Sequence, residues 1–400
     1  MLFLAVALAK TEVLQEPHHI ARYQSAPYTG LMKINDFKLE LFFGKHEFTA
    51  SHLLCCSDCQ SMSIEELLSF EPGAQEQFLG SWLGYSESPG DPQLRMEIAK
   101  TYMSIDEEGI LEFAGAQEAI FIFLNSALEK GDHIVTMFPA YQSTYEICRA
   151  IGCEISYWEL IQSDDGWTID VDDLEKLIRP NTKVLALCSP NNPTGYCFSR
   201  EQNEAIAKIA RKYGLLLFSD EVYRGLAENE DAAFADLYEN AFSLNVLSKA
   251  YGLAGLRIGW LASQNKDFLQ KTLGFKYYTS ICSAVPSQKL ALIALRHREK
   301  LFARNSAIIN ENLSYSDAFF KKHEHIFQYN RPMAGPIAFH RLKASESVAN
   351  FCDELVRQKG VLLAPGLLFE KEGNYFRMGY GRINYKECLD LLDEYVTELF

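Results

Sequence analysis

Lys183-Val184-Leu185-Ala186-Leu187-Cys188-Ser189-Pro190-Asn191-Asn192-Pro193-Thr194-Gly195 opens as an apolar run and closes as a constrained turn. Lys183 to Cys188 has the length and composition of a buried strand. Two prolines and a glycine then restrict the backbone within seven residues. A turn this rigid can hold the Asn192 amide as a donor toward a phenolate oxygen. A purely structural turn is the other reading, but few ordinary loops need so many constrained residues.

The same grammar recurs on either side. Ile134 to Met137, Leu215 to Ser219 and Ser243 to Leu247 are further apolar runs of strand length. Helical patterns lie between the runs, at Gln117 to Leu128, Thr144 to Ile151, Val171 to Ile178 and Arg200 to Tyr213. This alternation predicts an α/β fold, with a mostly parallel sheet and helices on both faces. Ligands of such sheets bind at the carboxyl ends of the strands. After Pro286 the pattern changes. Ser287 to Ile309 predicts one long helix, and strand and helix segments recur from Phe339 to a last helix at Glu387 to Leu399. The chain is too long for one simple core. A large domain is expected over residues 81–285. A smaller α+β domain is expected over 286–400, joined by the N-terminal segment 1–80. Leu53 to Ser63 is expected to cross irregularly between them.

Composition narrows the function. A formal net charge of −15 argues against nucleic acid as a partner. Met1 to Ala9 is apolar but short, lacks a basic leader and is followed by Lys10 and Glu12. It fits a signal peptide or membrane span poorly, so a packed or disordered terminus and no membrane are expected. Ten scattered cysteines without a signal peptide indicate a reducing, cytoplasmic compartment. Cys56-x-x-Cys59 stands alone and no HExxH spacing occurs, so no metal is expected.

The chemistry-bearing segments follow the predicted strands. In Asn245-Val246-Leu247-Ser248-Lys249-Ala250-Tyr251-Gly252-Leu253-Ala254-Gly255-Leu256-Arg257, a lysine stands just past a strand, with an arginine downstream. The lysine can form an imine with a carbonyl and the arginine can hold a phosphate, the two groups that pyridoxal 5′-phosphate offers. Gly115-Ala116-Gln117 opens a helix whose free N–H groups suit an anion, though alone it reads more readily as a plain turn. Tyr141, after the strand ending at Met137, can stack on a flat heterocycle or simply fill the rim. Asp220 ends the strand at Leu215 to Ser219, where a carboxylate can hold a pyridine nitrogen protonated or merely cap the loop. Tyr223 can donate to the same oxygen as Asn192. Arg377, in Tyr375-Phe376-Arg377-Met378-Gly379-Tyr380, can pair bidentately with a carboxylate, and Arg382 is its competitor.

In this order the motifs resemble the class I/II aminotransferases, the fold-type I pyridoxal-phosphate enzymes. The resemblance runs from about Trp82 to Arg382. It is most specific at Asn191-Asn192-Pro193-Thr194-Gly195, at Asp220-x-x-Tyr223 and at Ser248-Lys249 with Arg257. It implies pyridoxal 5′-phosphate held by Lys249 as an internal aldimine, with Lys249 also moving the proton between Cα and C4′. Asp220 would pair with the pyridine nitrogen, Asn192 and Tyr223 with the phenolate oxygen, and Tyr141 would stack on the ring. Gly115, Ala116, Gln117, Ser248 and Arg257 would surround the phosphate. Tyr85 would reach the phosphate of a second subunit in a homodimer, and Arg377 would bind the substrate α-carboxylate. An amino acid and a 2-oxo acid would be the substrates.

Two departures from the family pattern matter. Val246 replaces a serine that often holds the phosphate, and Cys56 to Ser61 stands where a Gly-x-Pro segment is usual. That segment is similar to one in a subgroup related to capreomycidine synthases, which act on arginine derivatives. Asp58 within it is expected to face the substrate side chain and select a polar or cationic one, unless it caps a local turn. The alternatives to transamination are elimination or cyclisation with the same cofactor, and a non-catalytic cofactor-binding regulatory domain.

Overall fold

In Thr182–Cys188, Val184 and Ala186 join one apolar cluster, and Leu185 and Leu187 join another. Successive side chains of a strand point to opposite faces, so both faces of this strand need cover. The computed structural model describes residues 33–164, 166–227 and 232–400. The expectation for Met1 to Ala9 lies outside the described residues.

The central sheet contains β1 Ile110–Phe113, β2 His133–Phe138, β3 Glu154–Glu159, β4 Thr182–Cys188, β5 Leu216–Asp220, β6 Ala241–Val246 and β7 Gly259–Ala262. Their spatial order is β1-β7-β6-β5-β4-β2-β3. β3, β2, β4, β5 and β6 are mutually parallel, and β7 runs antiparallel to both of its neighbours. The helices flanking this sheet are α1 Lys38–His46, α2 Ala116–Ala127, α3 Ser143–Ile151, α4 Asp172–Leu177, α5 Arg200–Tyr213 and α6 Lys266–Lys276. α2, α3 and α6 bury Phe123, Ile147 and Leu269 with Val184 and Ala186. α4 and α5 bury Leu174 and Ile206 with Leu185 and Leu187 on the opposite face, where Leu39 of α1 joins them. The expected α/β architecture with helices on both faces is the one observed.

Local signals set the helix ends. Ser199 and Gln202 form a reciprocal capping box at the start of α5, and Gly214 ends it at φ 63°. One expectation fails. Ser287 to Ile309 is not one helix but parts of two, α7 Val285–Arg296 and α8 Arg298–Lys322. His297 leaves helical geometry between them, at φ −111° and ψ 24°. Its ring lies against Phe70, and its Nε2 is 3.3 Å from Glu71 Oε1. α7 packs with Leu94, Ile98 and Trp260, whereas α8 packs with Phe327 and Leu392. The apolar rhythm continues through the break, so periodicity alone could not reveal it.

A smaller C-terminal domain carries a second sheet of β8 Phe327–Gln328, β9 Ile337–Leu342, β10 Ala364–Pro365 and β11 Tyr375–Gly379, in the order β8-β9-β11-β10. All of its neighbouring strands are antiparallel. α9 Val348–Lys359 and α10 Tyr385–Leu399 cover it through Phe351 and Leu392. His52–Leu53 pairs with Val361–Leu362, and the chain then runs without helix or strand until Ile64. The end of β11 fixes that irregular run. Gly379 N donates to Leu54 O at 2.8 Å, and a Cβ on Gly379 would lie 1.8 Å from Cys56 O. Only glycine admits so close a backbone crossing.

Candidate active site

Strands that run the same way present their carboxyl ends on one edge. Tyr141 follows β2, Asn192 follows β4, Asp220 ends β5, and Ser248 and Lys249 follow β6. These residues line one cavity of about 270 Å³, together with Ala116, Gln117, Tyr223, Arg257 and Asp58. Segments more than a hundred residues apart in the chain thus meet at a single edge of the sheet.

One end of the cavity is built for an anion. Gly115 precedes α2 at φ +87°, and a Cβ there would lie 2.4 Å from Arg257 Nη2. The absent side chain lets the guanidinium approach the helix start. Arg257 Nη1 donates to Ser248 Oγ at 3.1 Å. The first amides of α2 have no intrahelical acceptor, and the helix dipole adds positive potential there. Val246 also lines the cavity, so the missing serine leaves an apolar wall at that position.

The middle holds the groups with displaced acidities. Asp220 is buried, and burial lifts its carboxyl to about 6 although Val222 N donates to Oδ1 at 3.2 Å. Lys249 is pulled the other way. Burial lowers its ammonium pKa, Asp58 opposes that fall and Arg377 adds to it. Its Nζ is 2.8 Å from Ser57 Oγ. Tyr223 is buried, and burial raises its phenol pKa. Ser57 lies beside its hydroxyl, but no described residue meets that oxygen with ordinary hydrogen-bond geometry. Asn192 Oδ1 accepts from Arg377 Nη1 at 3.1 Å, which leaves the amide nitrogen as its donor.

The two candidate arginines differ in what already occupies them. Arg377 is fully buried, and its Nε and Nη2 donate to Cys55 O at 3.2 and 2.9 Å. With the Asn192 bond, three of its five N–H groups are engaged, and one remains on each terminal nitrogen. Such a pair can take a planar carboxylate, although Arg377 has no exposed surface and is not among the residues that line the cavity. Phe43 and Phe369 lie over the guanidinium at 5.7 and 5.2 Å. Arg382 Nη2 instead meets both Asp58 oxygens, at 2.8 and 2.9 Å. Asp58 therefore lines the cavity with its charge already partnered. Tyr85 stands apart, 84% exposed and outside the cavity wall.

Several lining residues were not foreseen. Leu39, Glu40, Phe43 and Glu47 come from α1 and its C-cap, and Cys56 and Ser57 come from the irregular crossing. Tyr141 Oη donates to Glu40 Oε1 at 2.7 Å, and its ring packs on Phe37 with centroids 5.0 Å apart. The spacing of Glu40, Phe43 and Glu47 marks one helical face, the only sequence signal that these residues act together. Cys56 and Cys59 are buried, and burial raises both thiols, Cys59 to about 12. Among the described residues no cluster of His, Cys, Asp and Glu is arranged to hold a metal, and no helix is long and apolar enough to cross a membrane.

Known proteins share this organisation. Residues 63–394 match the family model described as aminotransferase class I and II. A probable aspartate aminotransferase of Methanocaldococcus jannaschii is 27% identical, over 74% of this chain and 80% of its own. A capreomycidine synthase of Streptomyces vinaceus is 25% identical, over 86% and 88%. The crystal structure of a PLP-dependent aminotransferase from Streptococcus suis superposes with a TM-score of 0.87 at 31% identity, covering 92% of this chain and 99% of that one.

Proposed function

The chain belongs to the class I and II aminotransferase family and is an enzyme of the transferase class, and we propose that it moves an amino group between an amino acid and a 2-oxo acid, with pyridoxal 5′-phosphate held at Lys249. The carrying observation is that Lys249, Asp220 and Arg257 line one cavity. The residues fit the cofactor on three independent counts. The space that a Cβ on Gly115 would fill lies against the Arg257 guanidinium, as a phosphate cradle requires. The buried Tyr223 hydroxyl lacks a regular partner, as a donor to a phenolate oxygen would before binding. Asp220 is a buried acid that a cationic pyridine nitrogen would relieve.

The cofactor when bound supplies an electron sink for the substrate Cα carbanion. The remaining work falls to the chain. Arg377 captures the substrate carboxylate through its two remaining N–H groups and thereby orients Cα. Lys249 is desolvated, which favours a neutral amine able to take the Cα proton and return it on the opposite partner atom. Asp220 keeps the sink protonated. Ser248, Arg257 and the start of α2 anchor the phosphate, and the Tyr141 ring forms a wall for the heterocycle. Tyr85, exposed on this chain, is assigned to the phosphate site of a second copy in a homodimer.

The test is a half-reaction. A single amino acid added to cofactor-loaded protein should leave stoichiometric 2-oxo acid and the amine form of the cofactor. Recovery by a second 2-oxo acid completes the proof, and no oxo acid from any amino acid refutes it. The likeness to a capreomycidine synthase favours one second reading, in which the same carbanion is diverted to elimination or cyclisation. Its signature is an altered carbon skeleton with the cofactor returned unchanged.

A further inference from the structure

The irregular segment Leu54–Gln60 touches the site at more points than any lining role requires. Arg377 bonds Cys55 O, Arg382 bonds the Asp58 carboxylate, and Arg304 Nη1 donates to Gln60 O at 2.7 Å. Gly379 N donates to Leu54 O and Gln60 N to Gly381 O, at 2.8 and 2.7 Å. Cys59 N reaches Lys249 O at 3.4 Å. A segment without helix or strand is thus clamped along its length. The side chain it delivers to the lysine is Ser57, whose Oγ is 2.8 Å from Nζ.

We propose that Ser57 is the positioning residue of Lys249, holding the amine by one N–H so that its lone pair faces the substrate Cα. The proposal rests on the aminotransferase reading for its catalytic meaning, but not for its geometry. A lysine side chain has four rotatable bonds, and in a cavity it needs a fixed polar contact to keep one direction. A serine hydroxyl accepts as well as donates, so it holds the lysine as a neutral amine or as an ammonium. The Tyr223 hydroxyl also lies beside Ser57. Ser57 thus neighbours both the amine and a phenol that lines the same cavity.

The charged groups around the amine are few and known. Asp58 reaches it from the crossing segment, Arg377 from β11, Glu40 from α1, Glu47 from the C-cap of α1 and Asp220 from the end of β5. None of these groups hydrogen-bonds Nζ directly, whereas Ser57 does. Removing an acceptor disfavours the charged amine, so the lysine should titrate lower without Ser57.

Ser57→Ala and Ser57→Thr are compared with wild type in two measurements. The first uses cofactor-free protein. The pH dependence of cyanate modification at Lys249, read by mass spectrometry of its peptide, reports the amine directly. Ser57→Ala should move that titration down by on the order of half a unit, and Ser57→Thr should restore it. The second uses loaded enzyme. Ser57→Ala should lower kcat about tenfold with KM nearly unchanged and shift the acidic limb of the kcat profile, and Ser57→Thr should recover most of the rate. Ser57→Gly replaces the alanine variant if that one does not fold. An unmoved lysine titration in the hydroxyl-free variant, or a loss confined to KM and not rescued by threonine, overturns the proposal. If no amino acid turns over, the transaminase reading fails while the cyanate titration still decides the role of Ser57.

Discussion

Asp220→Asn should make the cofactor-free protein more stable while crippling the loaded enzyme. Burial lifts the Asp220 carboxyl from 3.8 to about 6 in the fold. The folded state therefore holds this proton more tightly than the unfolded chain. Its contribution is full below pH 3.8 and is lost as pH rises through about 6. The displacement corresponds to about 3 kcal/mol of lost stability at pH 8, and to about half that at pH 5. Asparagine does not ionise, and its carbonyl oxygen can still accept from Val222 N as Asp220 Oδ1 does. The stability gap between variant and wild type should therefore widen with pH and approach its full size by pH 8. Urea unfolding of both cofactor-free proteins at pH 5, 6.5 and 8 measures it. A gap that does not change with pH, or a variant less stable than wild type at pH 8, refutes the reasoning. With the cofactor bound, the same substitution should lower kcat by on the order of a hundredfold, about 3 kcal/mol of barrier. A residue that weakens the empty fold and powers the filled site shows the usual opposition between stability and activity.

Lys249→Ala should fold normally and lose turnover altogether, with melting followed by circular dichroism and turnover by oxo-acid release. Arg377→Lys should lower kcat/KM by about a hundredfold through lost bidentate capture of the substrate carboxylate, and Arg382→Lys should lower it less, since that guanidinium is engaged by Asp58. Gly115→Ala places a methyl 2.4 Å from Arg257 Nη2 at a positive φ, so equilibrium dialysis should show cofactor affinity weakened at least about tenfold. Gly379→Ala drives a methyl into Cys56 O, and denaturant titration should show a loss of about 3 kcal/mol or more.

The parallel core was legible because its strands are buried on both faces and so read as unbroken apolar runs. The edges were not. Glu154–Glu159 is largely half-exposed, and Gly259–Ala262 is four residues long and reversed in direction, which no local pattern encodes. The residues proposed to face the cofactor were legible for a related reason. Each stands within a few residues of the end of a strand, and parallel strands bring such ends together. Locating the strand ends therefore located Tyr141, Asn192, Asp220 and Lys249 without knowledge of any contact.

The rest of the cavity wall was less legible because its members meet only through tertiary approach. Ser57 meets Lys249 across 192 residues, and Tyr141 meets Glu40 across 101. No strand end announces α1, and its Glu40, Phe43 and Glu47 spacing indicates a face but not what the face covers. Asp58 shows the limit most clearly. Its acidic character and its nearness to the site follow from the segment it occupies. Whether its charge is free depends on Arg382, which lies 324 residues away. With Arg382 in place, Asp58 no longer presents an unpartnered charge to a ligand. Glu47 does, since no described residue donates a hydrogen bond to it or pairs with it, and burial together with Asp58 raises its carboxyl. An unpartnered carboxylate of the cavity wall therefore lies at the end of α1, outside the segment where a local reading of the chain would place it.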